Sequence, residues 1–491
     1  MLNKSEILNR LNLGSSIAEN DENLSRYFVP TAALNDFLND RYDLIRGAKG
    51  SGKSAILKIL TQTQYSQLAD VQLVIATEHT GEPSFKRAFG LLNDAEVDES
   101  RLVDAWKAYL INLVLDCLER LPATSEGTEA IRLAENASVR YRNPSLFKKA
   151  WWSLLRYLNL KNFEVGWEKI RAEFPDAPPD FWTKRDEIID FPEILRLCVA
   201  AFTRQKMRCW ILADRLDAAF QDRPALEQKA IRSLILAYKD FMGHPAVRIK
   251  LFFRTDLFEI VSSGPGFREL THVMDRTSRP ITWNSDSLLQ MIMERFAFNP
   301  EIAKSYGIVR ETIQDPASRR DAFFRLFPDK IDTGSRKPDT WTWICSRVRD
   351  GNGVQTPRDV HALIVASADL QRNRLDLGQD VDAPELIGSR AIKAGLSVVS
   401  RDKIQTTLIA ENPHLQAQII AFEKQKAEQN EETLEKLLGA DWKDHCDGLV
   451  KIGFLEKVGT SWKVPLLYRD GLGITQGAAF PKSASEGSED D

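Results

Sequence analysis

The sequence is short of cysteine, of histidine and of any long apolar run, and each shortage removes a class of protein. Five cysteines (Cys117, Cys198, Cys209, Cys345, Cys446) are spread over 491 residues, with no CxxC pair and no histidine at ligand spacing. A disulfide framework and a structural zinc site are therefore not expected, and the thiols read as small buried apolar groups. The six histidines are scattered, which argues against a histidine-based metal centre. No apolar run reaches the roughly 18 residues that a membrane-spanning helix needs, so no membrane partner is expected. The opening residues carry no apolar core of signal-peptide length, and a cytoplasmic location follows as an expectation. An excess of charge is missing too. The 66 Lys+Arg oppose 70 Asp+Glu, a net charge of −4, so wholesale electrostatic binding to nucleic acid or an anionic membrane is not expected.

What is present is ample for folding. At 43% hydrophobic and 28% charged residues, the chain has the balance of a globular protein, and its length suggests two to four domains at roughly 100–200 residues each. Four apolar runs of strand length, at 42–45, 71–76, 209–213 and 247–253, alternate with helical patterns. That alternation predicts a parallel α/β sheet. Helical patterns open at Ala55, cover 98–206 with breaks at Pro175, Pro178 and Pro179, and recur over 225–242 and 284–400. Residues 432–465 read as two helices followed by a β-wing. The tail 477–491 is rich in Ser, Gly, Ala and acid and reads as disordered.

The most informative segment lies between the first strand and the first helix. Gly47, Ala48, Lys49, Gly50, Ser51, Gly52, Lys53 and Ser54 fit the phosphate-loop pattern G-x-x-x-x-G-K-[ST] in full, with Ala55 following. Glycines let successive backbone N–H groups turn inward around a β-phosphate, in conformations other residues resist. The helix that starts there points its dipole at the same anion. Lys53 brings positive charge to the β- and γ-phosphates, and the Ser54 hydroxyl is a ligand for Mg²⁺. ATP and Mg²⁺ are the expected ligands; no N-K-x-D guanine motif is present.

Such a loop needs a carboxylate from a second strand. The apolar residues 210–213 lead to Asp214, the natural magnesium carboxylate at a strand tip. Arg215 occupies the place of the usual neighbouring glutamate. Asp217, three residues beyond Asp214, is the available group to orient or deprotonate the attacking water.

These residues resemble a bacterial P-loop ATPase family with a D-x-L-D acidic motif, related to AAA+ and STAND/KAP-type NTPases. The resemblance is carried by Tyr27 to Thr31, Leu44 to Ser54, Asp214-Arg215-Leu216-Asp217, Phe252 to Asp256, Thr356 to Asp359 and Val464 to Arg469. It spans 27–470. It implies an ATP-driven switch or motor, often encoded beside an effector in bacterial antiviral defence. STAND proteins usually carry D-G-x-D-E, from which Arg215 and Ala218 depart. The long separation of Lys53 from Asp214 implies a helical insertion near 98–190. By the same resemblance Arg254 occupies a sensor position for the γ-phosphate, and Arg358 a lid position reaching the nucleotide. The alternative readings are a strand-end salt bridge for Arg254 and a plain helix start for Arg358. Arg276 and Arg279 are candidates for an arginine finger acting across a subunit interface.

Two stretches bear on nucleic acid. Residues 140–172 hold eight basic residues (Arg140, Arg142, Lys148, Lys149, Arg156, Lys161, Lys169, Arg171) against Glu164 and Glu168, a local balance of +6, with aromatics interleaved. Basic charge and stacking rings suit nucleic acid, but the helical spacing favours an amphipathic helix with a wet basic face. In the winged segment, the second helix carries Asp441, Asp444 and Asp447, which phosphates repel, so protein contact is favoured there.

The expected architecture is an α/β, AAA+/STAND-like P-loop core with helical insertion, helical lid and C-terminal winged helix. Its boundaries are a lead-in at 1–26, the core at 27–283, the lid at 284–400, a winged-helix-like domain at 401–476 and the tail at 477–491. The expected activity is Mg²⁺-dependent ATP hydrolysis by a switch that assembles with itself and a protein effector in antiviral defence. The alternatives are a DNA-associated ATPase that loads or regulates replication or transposition proteins, and a non-hydrolysing nucleotide-bound adaptor.

Overall fold

The computed structural model describes residues 3–76, 98–137, 140, 189–214, 224–263 and 270–480. They divide into two compact units. One comprises 30–47 and 56–281; the other comprises 1–29, 48–55 and 282–491.

The first unit is built on a four-stranded parallel sheet. Its strands are β1 (Leu44–Gly47), β2 (Val71–Ile75), β3 (Arg208–Asp214) and β4 (Val247–Arg254), in the order β1-β4-β3-β2. All four fall on the predicted apolar runs, within two residues at either end. β4 therefore lies between the glycine-rich strand and the acidic strand, with Gly47 opposite Arg254 and Asp214 opposite Phe252. Two isolated bridges, Leu44 to Thr277 and Gly47 to Ile281, add a short parallel segment on the outer side of β1 that the sequence pattern does not reveal. β3 is buried almost throughout because it is central in the sheet.

Helices cover this sheet. Helix Glu99–Glu119 is buried over nearly every residue from Ala108 to Leu118, so its sequence is apolar all round instead of striped. Trp106 donates to the carbonyl of Ala230 at 2.9 Å and Tyr109 to that of Ala76 at 2.9 Å, which satisfies their polar ends inside the core. Cys117, Cys198 and Cys209 lie in the same core, and all five cysteines are free and buried. Arg140, first of the basic run, is buried too; it pairs with Asp116 at 3.1 Å and Glu119 at 2.5 Å and so serves as an internal ion pair. The rest of that run, 141–172, lies outside the described residues.

The second unit holds a helical core and a small C-terminal sheet. The stretch 1–26, read from its polar composition as a lead-in, contributes Ile7, Leu8 and Leu13, and the following segment Val29, to the same cluster as Leu288, Phe323, Trp341 and Ile392. They are integral to that core, because a sparse apolar stripe is enough to anchor a short segment. Helices Pro357–Asp376 and Ser389–Lys403 pack together within it. Beyond a π-helical turn at Ile404–Ile409, helices Glu431–Leu438 and Trp442–Lys451 precede the hairpin of β6 (Glu456–Val458) and β7 (Ser461–Lys463). These elements occur where the spacing expects them. β5 (Lys426–Gln429) and β8 (Thr475–Ala478) complete the sheet β6-β7-β5-β8. β8 takes in Gly477 and Ala478, the first residues of the tail expected to be disordered; 481–491 lie outside the described residues. Among the described residues no helix is long and apolar enough to cross a membrane.

Candidate nucleotide-binding site

The phosphate-loop pattern folds as a turn between β1 and helix Lys53–Gln62. Ser51 N–H donates to the carbonyl of Ala48 at 3.1 Å. Gly50 has φ +81° and Gly52 φ +101°, both in the left-handed region where a β-carbon is strained. Gly52 is a fixed glycine of the motif, whereas Gly50 fills one of its variable positions and is required there by the backbone alone. Lys53 is buried, and its ammonium donates to the carbonyl of Ala48 at 2.9 Å, which folds the charge back across the loop. Ser51 is 3% exposed, and its hydroxyl has no hydrogen-bond partner among the described residues. A buried, unsatisfied hydroxyl costs on the order of 1–3 kcal/mol, so such a group marks a place where a polar ligand fits.

Residues from the helical segment line this loop. Thr356 caps helix Pro357–Asp376, with Pro357 at its first turn. Thr356 donates to Asp359 at 2.7 Å, and the Lys403 ammonium holds both oxygens of Asp359 at 2.9 Å. The next residue after the proline, Arg358, presses on the loop: a β-carbon added to Gly50 would lie 3.0 Å from the arginine's Cβ and 3.2 Å from Thr356 Oγ1. Arg358 Nε is buried with no hydrogen-bond partner among the described residues. The plain helix start is thus what sets Cβ and Cδ of Arg358 beside the glycine loop. Lys49 forms an ion pair with Glu411 on the partly exposed side of the loop. Trp283 donates its indole N–H to the carbonyl of Ser51 at 2.9 Å. Nothing in its local pattern, between a strand and a helix, singles this tryptophan out.

The acidic residues belong to the other unit. Asp214 ends β3 and is 4% exposed. Asp217, with Arg215 and Ala218, lies outside the described residues. Arg254 ends β4 and makes a two-pronged salt bridge to Asp256, at 3.1 and 2.7 Å. Arg276, a finger candidate, is engaged with carboxylates: it bonds Asp43 at 2.9 Å through two nitrogens and Asp40 at 2.9 Å. Burial opposes its charge, but those carboxylates more than offset this and raise its pKa above the usual value. Asp40 and Asp43 precede β1, so this cluster sits at the end of the strand opposite Gly47. Within this chain the guanidinium ties Asp40 and Asp43, just before β1, to the segment that follows helix Leu270–Met274. Arg279 accepts, through its carbonyl, a hydrogen bond from Ser278 Oγ at 2.8 Å; its guanidinium enters no ion pair among the described residues.

No family model matches the sequence, and no curated protein matches it. Two solved structures resemble its fold at low similarity. One is the Walker-type ATPase PABY2304 of Pyrococcus abyssi, at 10% identity over 94% of this chain and 98% of that one, with a TM-score of 0.37. The other is the ORC2 protein of Aeropyrum pernix, in ADPNP-ADP complexes, at 11% identity over 96% and 97%, with a TM-score of 0.29. Scores this low fix neither family nor activity.

Proposed function

We propose that this protein is a Mg²⁺-dependent ATPase whose output is a change of conformation. The observation that carries the reading is the loop itself: left-handed Gly50 and Gly52, Lys53 folded across them, and the unsatisfied polar atoms of Ser51 and Arg358. Together they supply unpartnered donors and positive charge, which is what a polyphosphate requires. In this reading Lys53 and backbone N–H groups of Gly52, Lys53 and Ser54 hold the β- and γ-phosphates. Ser54 and Asp214 are the hard oxygen donors that suit Mg²⁺. When bound, Mg²⁺ neutralises charge on the phosphate oxygens. Asp217 orients a water and takes its proton as the water oxygen attacks the γ-phosphorus; the bond to the β–γ bridging oxygen breaks, and ADP leaves. Arg254 and Arg358 stabilise the charge that develops on the transferred group.

The wider role we propose is that of an AAA+/STAND-like switch in bacterial antiviral defence, acting through self-assembly and a protein effector. The segment 284–400 would serve as its lid and 401–476 as its winged-helix-like domain. Support comes from the resemblance of the spaced motifs and from Arg358, which joins the helical segment to the loop. Asp441, Asp444 and Asp447 are exposed in and beside helix Trp442–Lys451 and oppose DNA docking on that face.

Phosphate release from ATP, with and without duplex DNA, tests this. Turnover that ignores DNA and vanishes in Lys53→Ala supports a self-contained or partner-triggered switch. Steep stimulation by DNA would transfer the reading to a DNA-associated ATPase. ATP binding without turnover would indicate the non-hydrolysing adaptor.

A further inference from the structure

A trans peptide unit is planar, so a residue's carbonyl and the next residue's N–H point in opposite directions. In the phosphate loop, the carbonyl of Ser51 receives the indole N–H of Trp283 at 2.9 Å. Fixing that carbonyl fixes the whole 51–52 peptide, and turns the N–H of Gly52 the other way. The indole lies on one side of the loop, and a β-carbon at Gly52 would meet its Cζ2 at 3.9 Å, an ordinary contact. Trp283 is itself held. It is half-buried against the helical core and stands next to Asn284, which caps helix Ser285–Ala297 with a reciprocal capping box. A donor on a rigid ring, at a rigid helix start, can restrain a glycine-flanked peptide that would otherwise rotate freely.

We infer that Trp283 is a positioning residue of this site: it orients the 51–52 peptide so that the Gly52 N–H is presented to the β-phosphate of a nucleoside di- or triphosphate. The inference rests on the nucleotide-binding reading above. It assigns Trp283 no contact with the γ-phosphate, so its effect is shared by ATP and ADP. Arg358, read as a γ-phosphate group, differs in this respect.

The test measures Mg·ATP and Mg·ADP affinities of the full chain by calorimetry. The variants are Trp283→Phe, which keeps a ring but loses the donor, Arg358→Ala and Lys53→Ala. A fifth protein carries β-(3-benzothienyl)alanine at 283, in which sulfur replaces the indole N–H at nearly constant shape; it decides the matter if the phenylalanine variant folds poorly. Loss of one neutral hydrogen bond should weaken ATP and ADP alike by about 3- to 10-fold, with the circular dichroism spectrum unchanged. Arg358→Ala should weaken ATP more than ADP. Unchanged affinities in the benzothienyl protein, beside a clear loss in Lys53→Ala, would overturn the role of Trp283 and leave nucleotide binding intact. A loss confined to ATP would overturn the β-phosphate assignment. No binding of either nucleotide by the unaltered chain would overturn both readings.

Discussion

Arg358 and Gly50 touch so closely that the glycine cannot be replaced without moving the arginine: an added β-carbon would lie 3.0 Å from Arg358 Cβ. The same glycine has φ +81°, where an L side chain costs on the order of 1–2 kcal/mol. Gly50→Ala is therefore expected to weaken ATP binding by about tenfold or more, taking tenfold per 1.4 kcal/mol. Gly243→Ala serves as the control, because an added β-carbon there meets nothing within 4 Å. Titration calorimetry on both variants checks the contrast.

The buried ion cluster at the start of β1 gives a second expectation. Lys250 is fully buried and donates to Asp40 at 2.5 Å, Asp43 at 2.8 Å and the Tyr42 carbonyl at 2.9 Å, with its ammonium 4.4 Å from the centre of the Trp210 ring. Burial alone would raise the Asp43 pKa, but Arg276 and Lys250 hold it below the usual carboxylate range. Lys250→Met removes one of the two cationic partners of Asp43 and leaves Arg276, and should destabilise the protein by about 1.5–3 kcal/mol, the range for a hydrogen bond to a charged group. Arg276→Ala should also lower the melting temperature. A finger role across a subunit interface would add a loss of turnover to that fall in melting temperature.

His361 supplies a pH dependence. It is 4% exposed, bonded through Nε2 to the Leu13 carbonyl at 2.9 Å. Burial, and then the nearby Arg295 guanidinium, push its pKa down to about 4, against weaker opposition from the Leu13 carbonyl and Asp21. Above pH about 6.5 the ring is neutral in both folded and unfolded chains. Between pH about 6.5 and about 4 the unfolded chain binds a proton that the folded chain refuses. Stability should therefore fall as pH drops through that window, by at most about 3 kcal/mol, and level off below it. His361→Gln keeps a donor for Leu13 and should flatten this part of the profile. Thermal melting of both proteins at pH 7.5 and 5 measures the difference.

The strands and the phosphate loop were legible because their signals are local: four apolar runs, and glycines where the backbone must turn left-handed. The ion pairs of Arg276 with Asp43 and Asp40 were not legible, because they join residues 233 and 236 positions apart that meet only once the strands are paired. Lys250, a lysine inside an apolar strand, was a visible sign of an internal carboxylate partner. The anchoring of 4–29 and the contact of Trp283 with Ser51 depend on packing between residues hundreds of positions apart, for which no local pattern exists. Asp214 was legible as the end of an apolar strand, where the structure indeed puts it; its chemistry belongs to the proposal.

The most direct test of the central proposal is calorimetric titration of the full chain with Mg·ATP, beside Lys53→Ala. The expected result is saturable binding of one nucleotide per chain, weakened at least about tenfold in the variant, as removal of a charged hydrogen-bond donor requires. Equal binding by the two proteins, or none by the unaltered chain, would contradict it.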